Sequence, residues 1–224
     1  MQNLIPKDGA TLIRRSLRFL YKTTGADPKT AALAPGILAA AKDVFDKAES
    51  LEDAQLETQA ATNKIGVLNL DLAAAFRPLS LGLDQLVGGA TDDPRRRRLF
   101  PKTPSDVLDD TVSPEQDQFV AGVLKVLAED ADFAVLQPLG PPIATAMGLV
   151  KGKIDERVHL IAAEALAESA LAKACQSGCD AHNGAEPDIK KAKGNKRKVI
   201  DSFFLKRKRG KGGGGGGGGG SAPA

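Results

Sequence analysis

The chain has 224 residues, 42% of them hydrophobic and 4% aromatic, and it contains no tryptophan. Its two cysteines exclude a disulfide framework and fit a reducing compartment, while the lack of alternating apolar and polar runs excludes a strand-rich fold. The net charge of +3 conceals a division, because residues 189–211 hold eleven Lys/Arg and one acid, and the remainder of the chain is negative at −7.

A short amphipathic helix is predicted near the start, at about residues 10–22, with Gly25 at its end. Its apolar side chains share one face and its arginines lie beside them: Leu12, Ile13, Leu17 and Leu20, then Arg14, Arg15 and Arg18. We interpret residues 1–27 as this short helix followed by a linker.

The next element is predicted to be one long helix of about 50 residues. Its apolar residues are spaced alternately four and three apart, which is typical of a seam between helices. The seam has two parts, separated by a polar stretch: Ile37, Ala41, Val44, Ala48 and Leu51, then Ala61, Ile65, Leu68, Leu72, Ala75 and Leu79. Pro78 is expected to kink this helix, and Gly88 and Gly89 to end it.

Returning helices are predicted to complete a bundle. Ser113 and Pro114 mark a helix start. That helix has one apolar face, formed by Phe119, Val123, Val126 and Leu127. Residues 133–150 are uncharged but repeatedly broken by proline and glycine, which favours a buried connector over a membrane span. A last seam follows, with breaks expected at Gly178 and at residues 184–187: Met147, Val150, Ile154, Val158, Ile161 and Ala165.

The predicted fold class is all-α: a long antiparallel helical bundle, or coiled-coil-like rod, with a disordered C-terminal tail. The bundle is assigned to residues 28–188, a basic amphipathic segment to 189–211 and the disordered glycine-rich tail to 212–224. Across the bundle, one set of seam residues is expected to face another, with Leu70 pointing outward: Ile65, Leu68, Leu72 and Ala75 against Ile154, Val158 and Ile161.

No catalytic signature is present in the sequence. It has no nucleophile elbow, no phosphate-binding glycine loop and no HExxH motif. Cys175, Cys179 and His182 share one helix face, but zinc needs a fourth ligand, so two inert thiols are the preferred interpretation. We therefore expect no enzyme, no cofactor, no metal and no small-molecule substrate.

Four arginines at residues 95–98 precede Leu99 and Phe100. This run resembles a cyclin-docking peptide, with Arg97 in its basic position. The preferred alternative is that Leu99 and Phe100 anchor the loop in the end of the bundle.

Residues 197–204 resemble the sliding-clamp-binding peptide, because Ile200, Phe203 and Phe204 occupy its aliphatic and aromatic positions. Arg197 stands where that peptide has glutamine, which removes a specific contact. The preferred interpretation is a terminal amphipathic helix that docks the three apolar residues on the bundle.

The same segment is a candidate for nucleic-acid binding, with cations on phosphates and the two phenylalanines stacked on unpaired bases. A tail that only solubilises the protein is the remaining alternative. The candidate partner-binding residues are Lys196, Arg197, Lys198, Ile200, Phe203, Phe204, Lys206, Arg207, Lys208 and Arg209.

The alanine-rich long helix, the loop at residues 92–101 and the pair Phe203 and Phe204 with basic residues after it look like uncharacterised helical proteins of large-genome bacteria such as myxobacteria. The resemblance lies in these short stretches, which are spread over most of the chain. It implies a helical fold and a bacterial cytoplasmic setting, and no activity. In a bacterial setting the resemblances to the cyclin-docking peptide and to the sliding-clamp-binding peptide, both eukaryotic-style motifs, lose most of their weight as indications of function.

The predicted function is that of a non-enzymatic structural or interaction protein, built on an elongated helical bundle. A protein partner or self-association is expected, in the cytoplasm and without a membrane role. The alternative is a nucleic-acid-associated protein that binds polyanions through its basic C-terminal segment.

Overall fold

The computed structural model describes residues 3–108 and 114–206, and the regular elements in this part of the chain are all helical. The predicted all-α class is therefore confirmed. The α-helices are α1 (Ala10–Gly25), α2 (Ala34–Leu86), α3 (Pro94–Leu99), α4 (Pro104–Val107), α5 (Pro114–Glu129), α6 (Gly140–Lys193) and α7 (Arg197–Ser202). Short 3-10 helices cover Pro6–Asp8, Ala31–Leu33 and Ala131–Leu139. The glycine-rich tail expected at 212–224 lies outside the described residues.

The helix α2 is the long helix that the spacing predicts. It runs for 53 residues, and Pro78 lies inside it without dividing it. Gly88 and Gly89 follow its end with φ of 62° and 77°, a left-handed conformation that glycine adopts without strain. The seam residues Ile37, Val44 and Leu72 are buried, as predicted.

The helix α6 is longer than predicted, at 54 residues, because the expected breaks at Gly178 and at residues 184–187 do not occur. Gly178 serves close packing instead. A Cβ atom at this position would lie 3.0 Å from Cγ2 of Ile13 and 3.2 Å from Cγ2 of Val44. The glycine therefore lets α1 and α2 approach α6, which a larger side chain would prevent.

The chain divides into two compact units, which we name by their place in the sequence. The terminal unit is Met1–Glu49 with Ser169–Ala224, and the central unit is Ser50–Glu168. The two units have opposite net charges. The terminal unit holds 20 Lys/Arg and 9 Asp/Glu, a net +11, whereas the central unit holds 11 and 19, a net −8.

The core of the central unit is built around three phenylalanine rings. Phe76 of α2, Phe119 of α5 and Phe100 have ring centroids between 5.8 and 6.3 Å apart. Within this unit α2 and α6 run antiparallel: Nε of Arg157 donates a hydrogen bond to Oγ1 of Thr62 at 2.7 Å, and later residues of α2 pack with earlier residues of α6. The predicted antiparallel bundle is confirmed here, while the elongated shape stays a prediction.

Part of the predicted seam of α6 is wrong. Val158 and Ile161 are 59% and 43% exposed, so they do not face α2. After the half-buried Ile154, the covered face of α6 continues through Arg157, Leu160 and Glu164, which are also half-buried. The covered face therefore lies one residue before the predicted one, at 157 and 160 in place of 158 and 161. The prediction missed it because it followed the apolar residues, whereas the covered face includes charged side chains. Leu70 is 64% exposed, as predicted.

The shorter helices α1 and α5 bury the faces predicted for them. Ile13, Leu17 and Leu20 of α1 are fully buried. In α5 the buried residues include Phe119, Val123 and Leu127, and the helix starts at Pro114 as expected. The predicted cap, Ser113, lies outside the described residues.

Among the described helices, one segment is long and apolar enough to cross a membrane, judged by length and composition: Ala131–Lys193, which contains an 18-residue window of mean hydropathy 1.4. The core helix of a soluble protein passes the same test, and 33% of that window is buried within the protein. Pro141 and Pro142 lie in the first turn of α6, where proline costs no hydrogen bond.

Candidate functional site

The C-terminal segment packs its apolar residues into the core of the terminal unit. Ile200, Phe203 and Phe204 are 1%, 6% and 4% exposed. They fall on one side of α7 and its end, at i, i+3 and i+4, and they belong to the same buried cluster as Leu17 and Ile189. The docked amphipathic helix that the sequence favours is therefore present.

Polar contacts hold the docked segment in place. The hydroxyl oxygen of Thr23 lies 2.9 Å from the carbonyl oxygen of Phe203, which joins α1 to a residue 180 positions later. The ring of Phe204 lies against the imidazole of His182, with centroids 5.1 Å apart. Lys193, at the end of α6, donates a hydrogen bond to Asp27 that lowers the pKa of this carboxyl group.

The described basic residues around α7 point the other way, toward solvent. Lys196, Lys198 and Lys206 are exposed, and none of them pairs with a carboxylate of the described residues. Arg197 is exposed too, but it lies 3.5 Å from Glu186 and 3.2 Å from Asp201. The remaining predicted residues, Arg207, Lys208 and Arg209, lie outside the described residues.

The structure thus divides the predicted partner-binding set into two groups. Ile200, Phe203 and Phe204 are buried, and in this arrangement their side chains are not available to stack on bases or to enter a clamp groove. The lysines remain accessible. A binding role for the segment stays a prediction. In this conformation the segment would bind a partner through its exposed cations.

A second basic face, which the sequence interpretation did not assign to a site, lies beside the segment. Arg14, Arg15, Arg18 and Lys22 of α1 line an open groove of about 470 Å³ together with Leu205 of the C-terminal segment. The helix α1 contains no acidic residue. That run of cations without acids was visible in the sequence, but its position next to residue 205 was not.

A second depression adjoins this groove. It has a volume of about 690 Å³ and is lined by Lys198 and Lys206 of the C-terminal segment. Phe19 and Leu205 line both depressions, so the cations of α1 and those of the segment border one continuous surface. We call this surface the basic groove.

Cys175, Cys179 and His182 lie on the buried face of α6, 6%, 2% and 3% exposed. Burial raises the pKa of the Cys175 thiol, which disfavours the thiolate that a metal would bind. Within residues 3–108 and 114–206, no three or more His, Cys, Asp or Glu side chains form a group that could hold a metal ion. These side chains contribute to the packing of the terminal unit.

The arginine run of the central unit is matched by acids. Arg95 bonds to Asp93 at 2.8 Å and lowers the pKa of that carboxyl group, and Arg98 pairs with Asp132. Leu99 is fully buried and Phe100 is 8% exposed, both in the core of the central unit. The preferred interpretation, in which these two residues anchor the loop, is confirmed.

No family model matches the chain, and comparison with curated proteins and with solved structures found no match.

Proposed function

We propose that this chain is a non-enzymatic interaction protein, a helical bundle that binds the phosphate backbone of nucleic acid through its basic C-terminal segment, residues 189–211. One observation carries the proposal: Lys196, Lys198 and Lys206 face solvent without a carboxylate partner among the described residues, while the apolar side chains between them fix the segment on the core. A segment held in this way presents its charges from a fixed backbone, which lowers the entropic cost of binding a partner.

Contacts of this kind are to phosphates and not to base edges. Lysine contacts to phosphate position a protein on nucleic acid but carry no sequence information. Each neutralised phosphate releases counterions, so the affinity should fall steeply as salt increases. We therefore expect binding that is indifferent to base sequence. Because Phe203 and Phe204 are buried, we also expect no preference for single strands from stacking.

The test is fluorescence anisotropy of a labelled mixed-sequence duplex of about 20 base pairs, between about 50 and 200 mM salt. The triple variant Lys196→Gln, Lys198→Gln and Lys206→Gln should reduce the slope of log K against log salt by about 0.9 per lost contact, up to about 3. Substitution is a cleaner test than truncation before residue 189, because truncation would remove the buried Ile189, Ile200 and Phe204 from the core.

The matched control neutralises three cations of the central unit that make no ion pair with the described residues: Lys64→Gln, Arg77→Gln and Lys125→Gln. This variant changes the net charge by the same amount and should bind the duplex with nearly the original slope. If both triple variants bind equally well at every salt concentration, the proposed function is wrong.

A second candidate function is self-association with a second copy of this chain, as a coiled coil. The observation in its favour is a stripe of apolar side chains on α6 that faces solvent: Val158, Ile161 and Leu166 are 59%, 43% and 73% exposed. Val158, Ile161 and the exposed Ala165 are spaced by three and four, and Leu166 lies next to them in the sequence. A seam with this spacing needs a partner helix with the same spacing, and an identical copy supplies one by two-fold symmetry. Sedimentation equilibrium should show a dimer that Leu166→Glu dissociates and Leu70→Glu, on α2, does not.

The cytoplasm is the proposed location, without a membrane role. The two cysteines form no disulfide framework, and the apolar window of α6 contributes Ile143, Met147 and Val150 to the core of the central unit. Fractionation of the host cell tests this proposal, because a protein that spans a membrane would stay in the pellet after a carbonate wash.

A further inference from the structure

The exposed cations of α1 form a regular row. Arg15, Arg18 and Lys22 are spaced by three and four residues, so they lie on one face of the helix. With a rise of about 1.5 Å per residue, the row is roughly 10 Å long. Arg14 lies beside it and stacks over the ring of Phe45 at 3.9 Å. A row of this kind matches a partner whose negative charges also lie along a line.

Two acids, one that follows α1 in the sequence and one that lines the second depression, are paired with other cations. Asp27, which follows the end of α1, is held by Lys193. Asp201, which lines the second depression, lies 3.2 Å from Nε of Arg197. The positive charge of the basic groove is therefore not offset by these two carboxylates.

We infer that α1 and the docked C-terminal segment form one composite site for nucleic-acid backbone, in which Arg15, Arg18 and Lys22 bind phosphates together with Lys198 and Lys206. The inference deepens the proposed function and rests on it. Phe19 and Leu205, which line both halves of the groove, place the two sets of cations on one surface. Duplex DNA carries one negative charge per about 1.7 Å of its axis, so a single duplex can engage both sets.

The arrangement of the apolar side chains favours nucleic acid over an anionic membrane. A membrane-surface helix places its apolar face in the lipid and its cations at the headgroups. Here Ile200, Phe203 and Phe204 of the C-terminal segment point into the protein. The apolar face of α1, with Ile13, Leu17 and Leu20, does the same. The outward face of α1 is consequently cationic and offers little that would insert into lipid.

The test compares three triple variants with the original protein in the duplex salt series described above. The α1 variant carries Arg15→Gln, Arg18→Gln and Lys22→Gln. We expect it to reduce the salt slope by about 2 to 3, as the C-terminal triple variant does, and the central-unit control to leave the slope unchanged. All the substituted side chains are exposed, and thermal unfolding of each variant establishes that the fold is kept.

The outcomes separate the two proposals. If the C-terminal variant weakens binding and the α1 variant behaves like the control, the composite site is wrong and the proposed function stands. If the α1 variant alone weakens binding, the segment is not part of the site and both proposals fail. If neither variant differs from the control, both proposals fail as well.

Stoichiometry and vesicles complete the experiment. A composite site binds one short duplex per chain in a titration at low salt, whereas two duplexes per chain would mean two separate sites and would overturn the inference. Vesicles with about a third phosphatidylserine are the second probe. Binding to these vesicles without binding to the duplex would assign the groove to a lipid surface and overturn the nucleic-acid assignment.

Discussion

The ring of Phe204 meets the imidazole of His182 edge-on, with an angle of 70° between the planes and the centroids 5.1 Å apart. This contact ties the C-terminal segment to the core. Because Phe204 is 4% exposed, Phe204→Ala should lower the free energy of unfolding by about 3–5 kcal/mol in urea denaturation. Val199→Ala is the control, since Val199 of the same helix is 38% exposed. Equal effects of the two substitutions would mean that the segment does not dock in solution.

Gly178 and Gly184 of α6 should respond in opposite ways to an added side chain. At Gly184 an added Cβ atom meets nothing within 4 Å, so Gly184→Ala should stabilise by about 0.5–1 kcal/mol through helix propensity. At Gly178 the added atom presses on Ile13 and Val44, and Gly178→Leu should destabilise by about 1–3 kcal/mol. Thermal melts check both changes. A stabilising leucine at 178 would show that the helices do not approach closely there.

The revised register of α6 predicts unequal effects of two isoleucines. Ile143 is fully buried, and Ile143→Ala should cost about 2–5 kcal/mol. Ile161 is 43% exposed, so Ile161→Ala should cost less than about 1 kcal/mol, measured at a protein concentration too low for association. If Ile161→Ala were the more damaging change, the seam predicted from the sequence would be right and the exposed stripe would not exist.

The side-chain amide of Gln116 donates a hydrogen bond to Asn69 in the core of the central unit, where the two residues are 0% and 2% exposed. Asn69→Ala removes this acceptor at a buried position. The expected cost is about 1–3 kcal/mol in urea denaturation. Asn63→Ala, at an exposed position of the same helix, should be nearly neutral. Similar melts for the two variants would contradict the buried pair.

The ion pair of Lys193 with Asp27 gives a pH-dependent contribution. Lys193 lowers the pKa of Asp27 below its usual value of 3.8, so the contribution is present above that value and is lost as the pH falls through the lowered one. In Lys193→Gln the pKa of Asp27, followed by NMR titration of its carboxyl carbon, should rise toward 3.8. Lys190→Gln is the control, because Lys190 pairs with Glu186. An unchanged pKa in Lys193→Gln would show that the pair does not form.

The spacing of apolar residues predicts most of the fold. It identifies the buried positions Ile37, Val44 and Leu72 of α2 because they fall on the seam whose residues are spaced alternately four and three apart. It fails on α6 because that helix has two candidate stripes. The spacing cannot tell that Arg157 and Glu164 lie on the covered face while Val158 faces solvent, since this depends on how the helices meet.

The candidate site is only half visible in the sequence. The docking of Ile200, Phe203 and Phe204 follows from their spacing and from the basic residues around them. The position of Arg18 and Lys22 beside the C-terminal segment does not follow from the sequence. It depends on contacts such as that of Thr23 with Phe203, which lie 180 positions apart. No local pattern records which surface helix a distant segment will lie beside.

The terminal unit is assembled from the two ends of the sequence, and this affects how the protein folds during synthesis. The residues of the central unit are contiguous, so its core can form once residue 168 has left the ribosome. Ile13 and Leu17 pack against residues within 174–204, and these are translated on the order of 10 to 40 s after Ile13 and Leu17 at ordinary rates of translation. During that interval the part of the α1 face that packs against residues 174–204 is open to chaperones and to other nascent chains. A chain released before residue 200 would carry the arginines of α1 but could not complete the basic groove.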